Sequence, residues 1–143
     1  MELLDKKENP GLINSLRILT HMKNHAAPAV QEVAALYDRA KQSEKIEIVD
    51  TLSTIDATGD HAIPVLVKAL KEPDPLDRED AMTMLMRYKS RADLFMDGLL
   101  EALNDPDTKN RMFAIRIVRG LGQEPDKVVP QLVRLCADPD LRV

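Results

Sequence analysis

NDPDT, residues 104–108, reads as the corner between two helices. Proline fixes φ and removes a backbone donor, which stops an incoming helix. An aspartate just after it can accept from the orphan N–H groups of the next first turn. The same corner is written twice more, as KEPDP at 71–75 and ADPDL at 137–141, so Pro73, Pro106 and Pro139 stand a constant 33 residues apart. Asp74, Asp107 and Asp140 form a second column at that spacing. Glu72, Asp105 and Asp138 form a third, and Asp60, Asp93 and Asp126 a fourth. These acidic columns read as recurring helix caps. A fixed period of this size is the mark of a repeat protein.

The apolar residues keep the same ruler. Before each corner, Ile63, Leu66, Val67 and Leu70 are matched by Met96, Leu99, Leu100 and Leu103, then by Val129, Leu132, Val133 and Cys136. One period earlier the set is Val30, Val33, Ala34 and Tyr37. After the corner, Ile48, Val49, Leu52 and Ile55 are matched by Ala81, Met82, Leu85 and Tyr88, then by Ala114, Ile115, Val118 and Leu121. Ser15, Leu16, Leu19 and Met22 make a weaker first copy. Such spacings give one apolar stripe on a helix. Each unit is therefore a helix A, a Pro-Asp corner and a helix B. The spacing predicts A helices near 27–38, 62–71, 94–104 and 127–137, and B helices near 11–24, 43–56, 76–90 and 109–121. Pro64 and Pro130 fall early in their A helices, where a missing donor costs least, and Gly120 and Gly122 mark the end of the last B helix. The corner YDRAKQSEK, at 37–45, lacks the Pro-Asp signature.

Two-helix units at a fixed period bury their faces against their neighbours. The fold class expected is all-α: a right-handed α-solenoid of antiparallel helix pairs, with about 3.5–4 repeats of period 33 in a single domain over 1–143. Within it 11–24 is a half-repeat, 27–56, 62–90 and 94–121 are repeats, and 127–143 is a truncated one. The runs AIPVLVKALKEPDPLDREDAMTML (62–85) and LLEALNDPDTKNRMFAIRIV (99–118) resemble HEAT repeats, particularly the short kind found in many bacterial proteins. That resemblance implies a ladder linking neighbouring units, made by an acid before the corner and an arginine six residues later. Asp105 with Arg111 fits it, and Glu72 with Arg78 fits with a longer acid. Arg39 and Lys45 occupy those columns in the first repeat, so the ladder is not expected to run through it. The Thr-Pro-Leu-His signature of ankyrin repeats and the Trp, Gly, Tyr, Ala, Phe pattern of tetratricopeptide repeats are both missing.

Composition bounds the function. Hydrophobic residues make up 44% and charged residues 31% of 143, an ordinary globular balance, while aromatics are only 3% and Trp is absent. The net charge of −4 argues against nucleic-acid binding, which leaves a basic footprint. A single cysteine, Cys136, excludes an intramolecular disulfide and fits a reducing compartment. No apolar run suggests a signal peptide or a membrane span, so a cytoplasmic location is expected. His21 and His25 lie four apart in HMKNH, a spacing that places two ligands on one helical face. The glutamate that would follow the first histidine in a zinc-protease motif is replaced by Met22, so they read as exposed polar residues. HEAT-type di-iron hydroxylases use His-Glu dipeptides, and none occurs here. Cys136 shares its column with Leu70 and Leu103 and reads as a buried thiol. No catalytic residue, metal site or cofactor is expected.

What remains is a surface. In HEAT-like solenoids the B helices line the concave side, and their non-core columns give Arg17 and His21, then Asp50, then Thr83, Met84, Arg87 and Arg91, then Phe113 and Arg116. Arginine grows toward the later ridges and can pair carboxylates bidentately. Met84 adds an adaptable apolar spot beside it. The expectation is a protein-interaction scaffold whose partner is another protein or peptide segment, held on this concave face. Two alternatives come from the fold: an accessory chaperone-lyase of the bilin-lyase type, and a nucleic-acid-binding module. The last corner is followed only by Leu141-Arg142-Val143, less than a turn of helix. That open repeat is expected either to continue in a longer solenoid or to pair with another molecule, a second copy included.

Overall fold

A computed structural model describes residues 9–122 and 125–137. Among them every regular element is helical, and no strand occurs. The α-helices are α1 (Pro10–Met22), α2 (Val30–Leu36), α3 (Gln42–Ile55), α4 (Ala62–Ala69), α5 (Pro75–Leu85), α6 (Met96–Ala102), α7 (Thr108–Leu121) and α8 (Pro125–Leu135). Each falls where the 33-residue spacing predicts one, with ends shifted by a few residues. The described residues form two compact units that divide between residues 65 and 66.

In the first unit α3 packs against both α1 and α2. Its stripe of Ile48, Val49, Leu52 and Ile55 is buried, as are Leu16 of α1 and Val30 and Val33 of α2. Pro10 opens α1, and Asn9 Oδ1 accepts from Leu12 N at 3.2 Å. The two helix starts are tied by buried Glu44, whose carboxylate accepts from Lys41 N and from Asn9 N, each at 3.0 Å. Those two amides hold the Glu44 carboxyl below its ordinary range. α1 ends at Met22 because Lys23 takes a positive φ of 50°, and the chain continues as a 3-10 stretch over Lys23–Ala29. His25 therefore leaves the helix that carries His21, and the two do not share one helical face.

In the second unit α7 packs against α5 and α6. Ala81, Met82 and Leu85 of α5, Met96 and Leu99 of α6, and Ala114 and Val118 of α7 are all buried. The corner aspartates cap as expected: Asp74 accepts from Leu76 N at 2.8 Å, and Asp107 from Lys109 N and Asn110 N at 2.9 and 3.1 Å. Asp138 and Asp140 of the last corner lie outside the described residues. Gly122, at φ 60°, closes α7 in the left-handed conformation, while Gly120 lies inside the helix.

Four expectations give way. Of the column Asp60, Asp93, Asp126, Asp93 does not cap α6, and Asp126 lies inside the first turn of α8. α6 begins after Phe95 with no side-chain cap, and at the start of α4 the amides of His61 and Ala62 go to Asp56, a residue outside the column. The third B helix stops at Leu85, so Arg87 and Arg91 lie in a 3-10 stretch over Met86–Leu94. Tyr88 and Arg91 there have φ/ψ of −105/28° and −121/31°, outside the helical well, which bends the chain while keeping Tyr88 and Ala92 buried. Pro130 falls at the sixth residue of α8 rather than at its start, because the helix begins already at Pro125. Cys136 is exposed rather than buried, together with Val129 and Val133 on the same stripe.

Candidate interaction surface

Two polar centres fix the corners. In the second unit Arg78 and Asp105, both buried, meet in a fork: Nε donates to Oδ2 and Nη2 to Oδ1, each at 2.7 Å. Arg78 Nη1 also donates to the carbonyls of Glu72 and Pro73, both at 2.8 Å. The arginine thus closes its own corner and grips the acid of the next. Arg111 repeats the first half of this, Nη1 donating to Asp105 O at 3.0 Å and Pro106 O at 3.4 Å, and Nη2 to Thr108 Oγ1 at 3.2 Å. Its counterpart to Asp105 in the periodicity, Asp138, lies outside the described residues. Of the four residues expected in a ladder, the structure joins Arg78 to Asp105 side chain to side chain. It joins Arg78 to Glu72, and Arg111 to Asp105, through backbone carbonyls. Burial alone would raise the Asp105 carboxyl, but the Arg78 guanidinium and the Asp107 amide outweigh it and hold the group below the usual carboxylate range. The same bond raises Arg78 above its ordinary value.

Buried Asn110 was not legible in advance, because its column carries no repeating residue type. Its Nδ2 donates to Pro75 O at 2.9 Å, tying the starts of α7 and α5. Asp56 was legible only locally, in the turn signature Asp-Ala-Thr-Gly. Its Oδ1 accepts from Thr58 N, Thr58 Oγ1 and Gly59 N at 3.2, 2.8 and 3.0 Å, and Oδ2 from His61 N and Ala62 N at 2.9 Å each. Gly59 adopts a φ of 79° to make this wrap. Burial pushes the Asp56 carboxyl up, yet the combined donors win and lower it.

The residues expected on a concave face are placed unevenly. In the first unit Arg17 Nη2 donates to Glu47 Oε1 at 2.7 Å, and the hydroxyls of Thr20 and Thr51 lie 3.0 Å apart. Arg17 thus joins α1 to α3 and is already engaged within the chain. His21 is exposed and Asp50 half-buried. In the second unit Thr83 and Arg116 are exposed, and Met84 and Phe113 half-buried, on the neighbouring helices α5 and α7. Arg87 is exposed and Arg91 half-buried, both off the helix.

Two depressions lie among the described residues. A depression of about 390 Å³ beside the Arg78–Asp105 fork is walled by Leu70, Gly98 and Glu101, and Glu101 is paired with Lys71 at 2.8 Å. One of about 400 Å³ in the first unit borders Asn24, Gln31 and His61, with Asp56 committed to its own turn. Among the described residues no three His, Cys, Asp or Glu side chains gather as metal ligands, and no helix is long and apolar enough to cross a membrane. Set beside known proteins, the chain finds no match: no family model, no curated protein and no solved structure matches it.

Proposed function

We propose that the chain is a HEAT-like α-solenoid module that serves as a protein-interaction scaffold, holding a partner segment on the B-helix ridge of its second unit. The observation that carries this reading is the Arg78–Asp105 fork, which joins two corners one period apart. Its buried ions stabilise an arrangement of helices rather than a reaction centre. The ridge on α5 and α7 offers exposed Thr83 and Arg116 with half-buried Met84 and Phe113, an apolar centre beside a cation. That combination suits a peptide segment with an apolar anchor and a carboxylate. The earlier ridge is a poorer candidate, because Arg17 is paired with Glu47.

Affinity capture from lysate, read by mass spectrometry, tests this directly. A Thr83→Glu/Phe113→Glu variant should keep the helical circular-dichroism signal and lose the partners that the unaltered chain retains. Equal capture by both would remove the ridge from consideration. Binding of labelled duplex DNA or RNA at near-physiological salt would favour the nucleic-acid reading instead.

A further inference from the structure

The 33-residue columns align the helices of the first unit with those of the second. α1 and α7 stand 99 residues apart in register, as do α2 and α8, so that Arg17 corresponds to Arg116, Val30 to Val129, Ala34 to Val133 and Tyr37 to Cys136. In the first unit the face shared by α1 and α2 is occupied. α3 packs on both helices, Val30 and Tyr37 are only 6% and 3% exposed, and Glu47 of α3 meets Arg17 at 2.7 Å. In the second unit the corresponding positions are open. Val129 is 54% and Val133 64% exposed, Cys136 is exposed, and no described helix covers them. α8 keeps Val128 and Leu135 buried and Leu132, the match of Val33, half-buried, so its exposed large apolar side chains are Val129 and Val133, with Cys136 just past its end.

The charge around this stripe is one-sided. α7 carries exposed Lys109, Arg116 and Arg119 and no acidic residue, its Arg111 being buried against the corner carbonyls, and α8 adds exposed Arg134 against Asp126, its Lys127 being paired with Asp97 at 3.3 Å. The helix that fills the corresponding place in the first unit is acidic: α3 carries Glu44, Glu47 and Asp50 against Lys45.

We propose that the exposed stripe of α8, with Arg116 and Arg119 of the preceding helix α7, docks an acidic amphipathic helix of a partner protein, seated as α3 is seated on α1 and α2. Its apolar stripe would cover Val129 and Val133, and its carboxylates would meet Arg116 and Arg119. The proposal rests on the repeat equivalence put forward above; it shares Arg116 with the Thr83–Phe113 ridge but has its apolar centre elsewhere, at Val129 and Val133 of α8.

The chain supplies its own probe. A fluorescein-labelled peptide with the sequence of residues 40–57, which contains α3, is titrated into the intact chain and followed by fluorescence anisotropy. Saturable binding is expected. Val133→Glu should abolish it, while circular dichroism shows the fold retained. Arg116→Glu in the chain, or Glu47→Lys in the peptide, should each weaken binding about tenfold, and combining the two should restore it. Arg17→Glu should leave it unchanged. An absence of saturable binding overturns the proposal. So does sensitivity to Arg17→Glu in place of Arg116→Glu, which would mean that the peptide displaces the chain's own α3. A free chain that is dimeric by light scattering and becomes monomeric with Val133→Glu assigns the face to a second copy and also overturns it. Failure here with capture still dependent on Thr83 and Phe113 leaves the scaffold reading standing; loss of both removes the repeat equivalence itself.

Discussion

Arg78 sits where a guanidinium is tolerated only with every donor directed at an acceptor. Its side chain is 8% exposed and that of Asp105 4%, so neither charge can be returned to water when the other is removed. Arg78→Ala should therefore destabilise the chain by about 3–5 kcal/mol in urea unfolding, since it leaves a buried carboxylate uncompensated. Arg78→Lys should recover only part of that loss, because an ammonium cannot reproduce the fork or reach the Glu72 and Pro73 carbonyls together. Asp56 and Asp105 also set the acid limit. Both are held below the ordinary carboxylate value of 3.8, so their stabilisation is complete above about pH 5 and is lost as pH falls through their lowered folded values. Asp56→Asn should cost about 2 kcal/mol at neutral pH and flatten the acid limb of a stability–pH curve. At this scale the sequence is informative about which residue types recur, and much less so about partners. The arginine column is readable, but that Arg78 bonds an acid 27 residues later is set by how the corners pack.

Helices were the most legible feature, because a stripe recurring every 33 residues reports the same burial several times over. The connections were not. Nothing in apolar spacing reveals that Lys23 turns to positive φ or that Tyr88 leaves the helical well, since both depend on single backbone dihedrals. These two departures displaced His25, Arg87 and Arg91 from the faces assigned to them. The end of α7 offers a paired test. Gly120 is helical and an added Cβ would meet nothing within 4 Å, so Gly120→Ala should raise stability by up to about 1 kcal/mol. Gly122 has equal room but a φ of 60°, so Gly122→Ala should lower it by about 1 kcal/mol. Thermal unfolding of the two variants should move the midpoint in opposite directions.

At the scale of the whole chain, two compact units of packed helices each hold their own buried contacts, and elements with few of them should open first. α8 buries Val128 and Leu135 but exposes Val129 and Val133, unlike α6, which buries Met96, Leu99 and Ala102. Amide hydrogen exchange is therefore expected to be faster throughout α8 than in α6 or α7, and to slow selectively in α8 when the residue 40–57 peptide is bound. Uniform protection along the second unit would contradict this. That the described residues are all helical was readable from the recurring apolar columns. The binding surfaces were readable only as columns, because which column is covered depends on the helix packed over it.

The exposure of Cys136 has a practical side. It is the sole thiol in the sequence, and it lies at the end of the open stripe on α8. A maleimide dye will therefore attach at one position without any substitution, beside the proposed docking face. Its emission colour reports the polarity around it, and the unlabelled thiol's reaction rate with a disulfide reagent reports steric access. The native chain thus carries its own optical and chemical sensor for whatever settles on that helix.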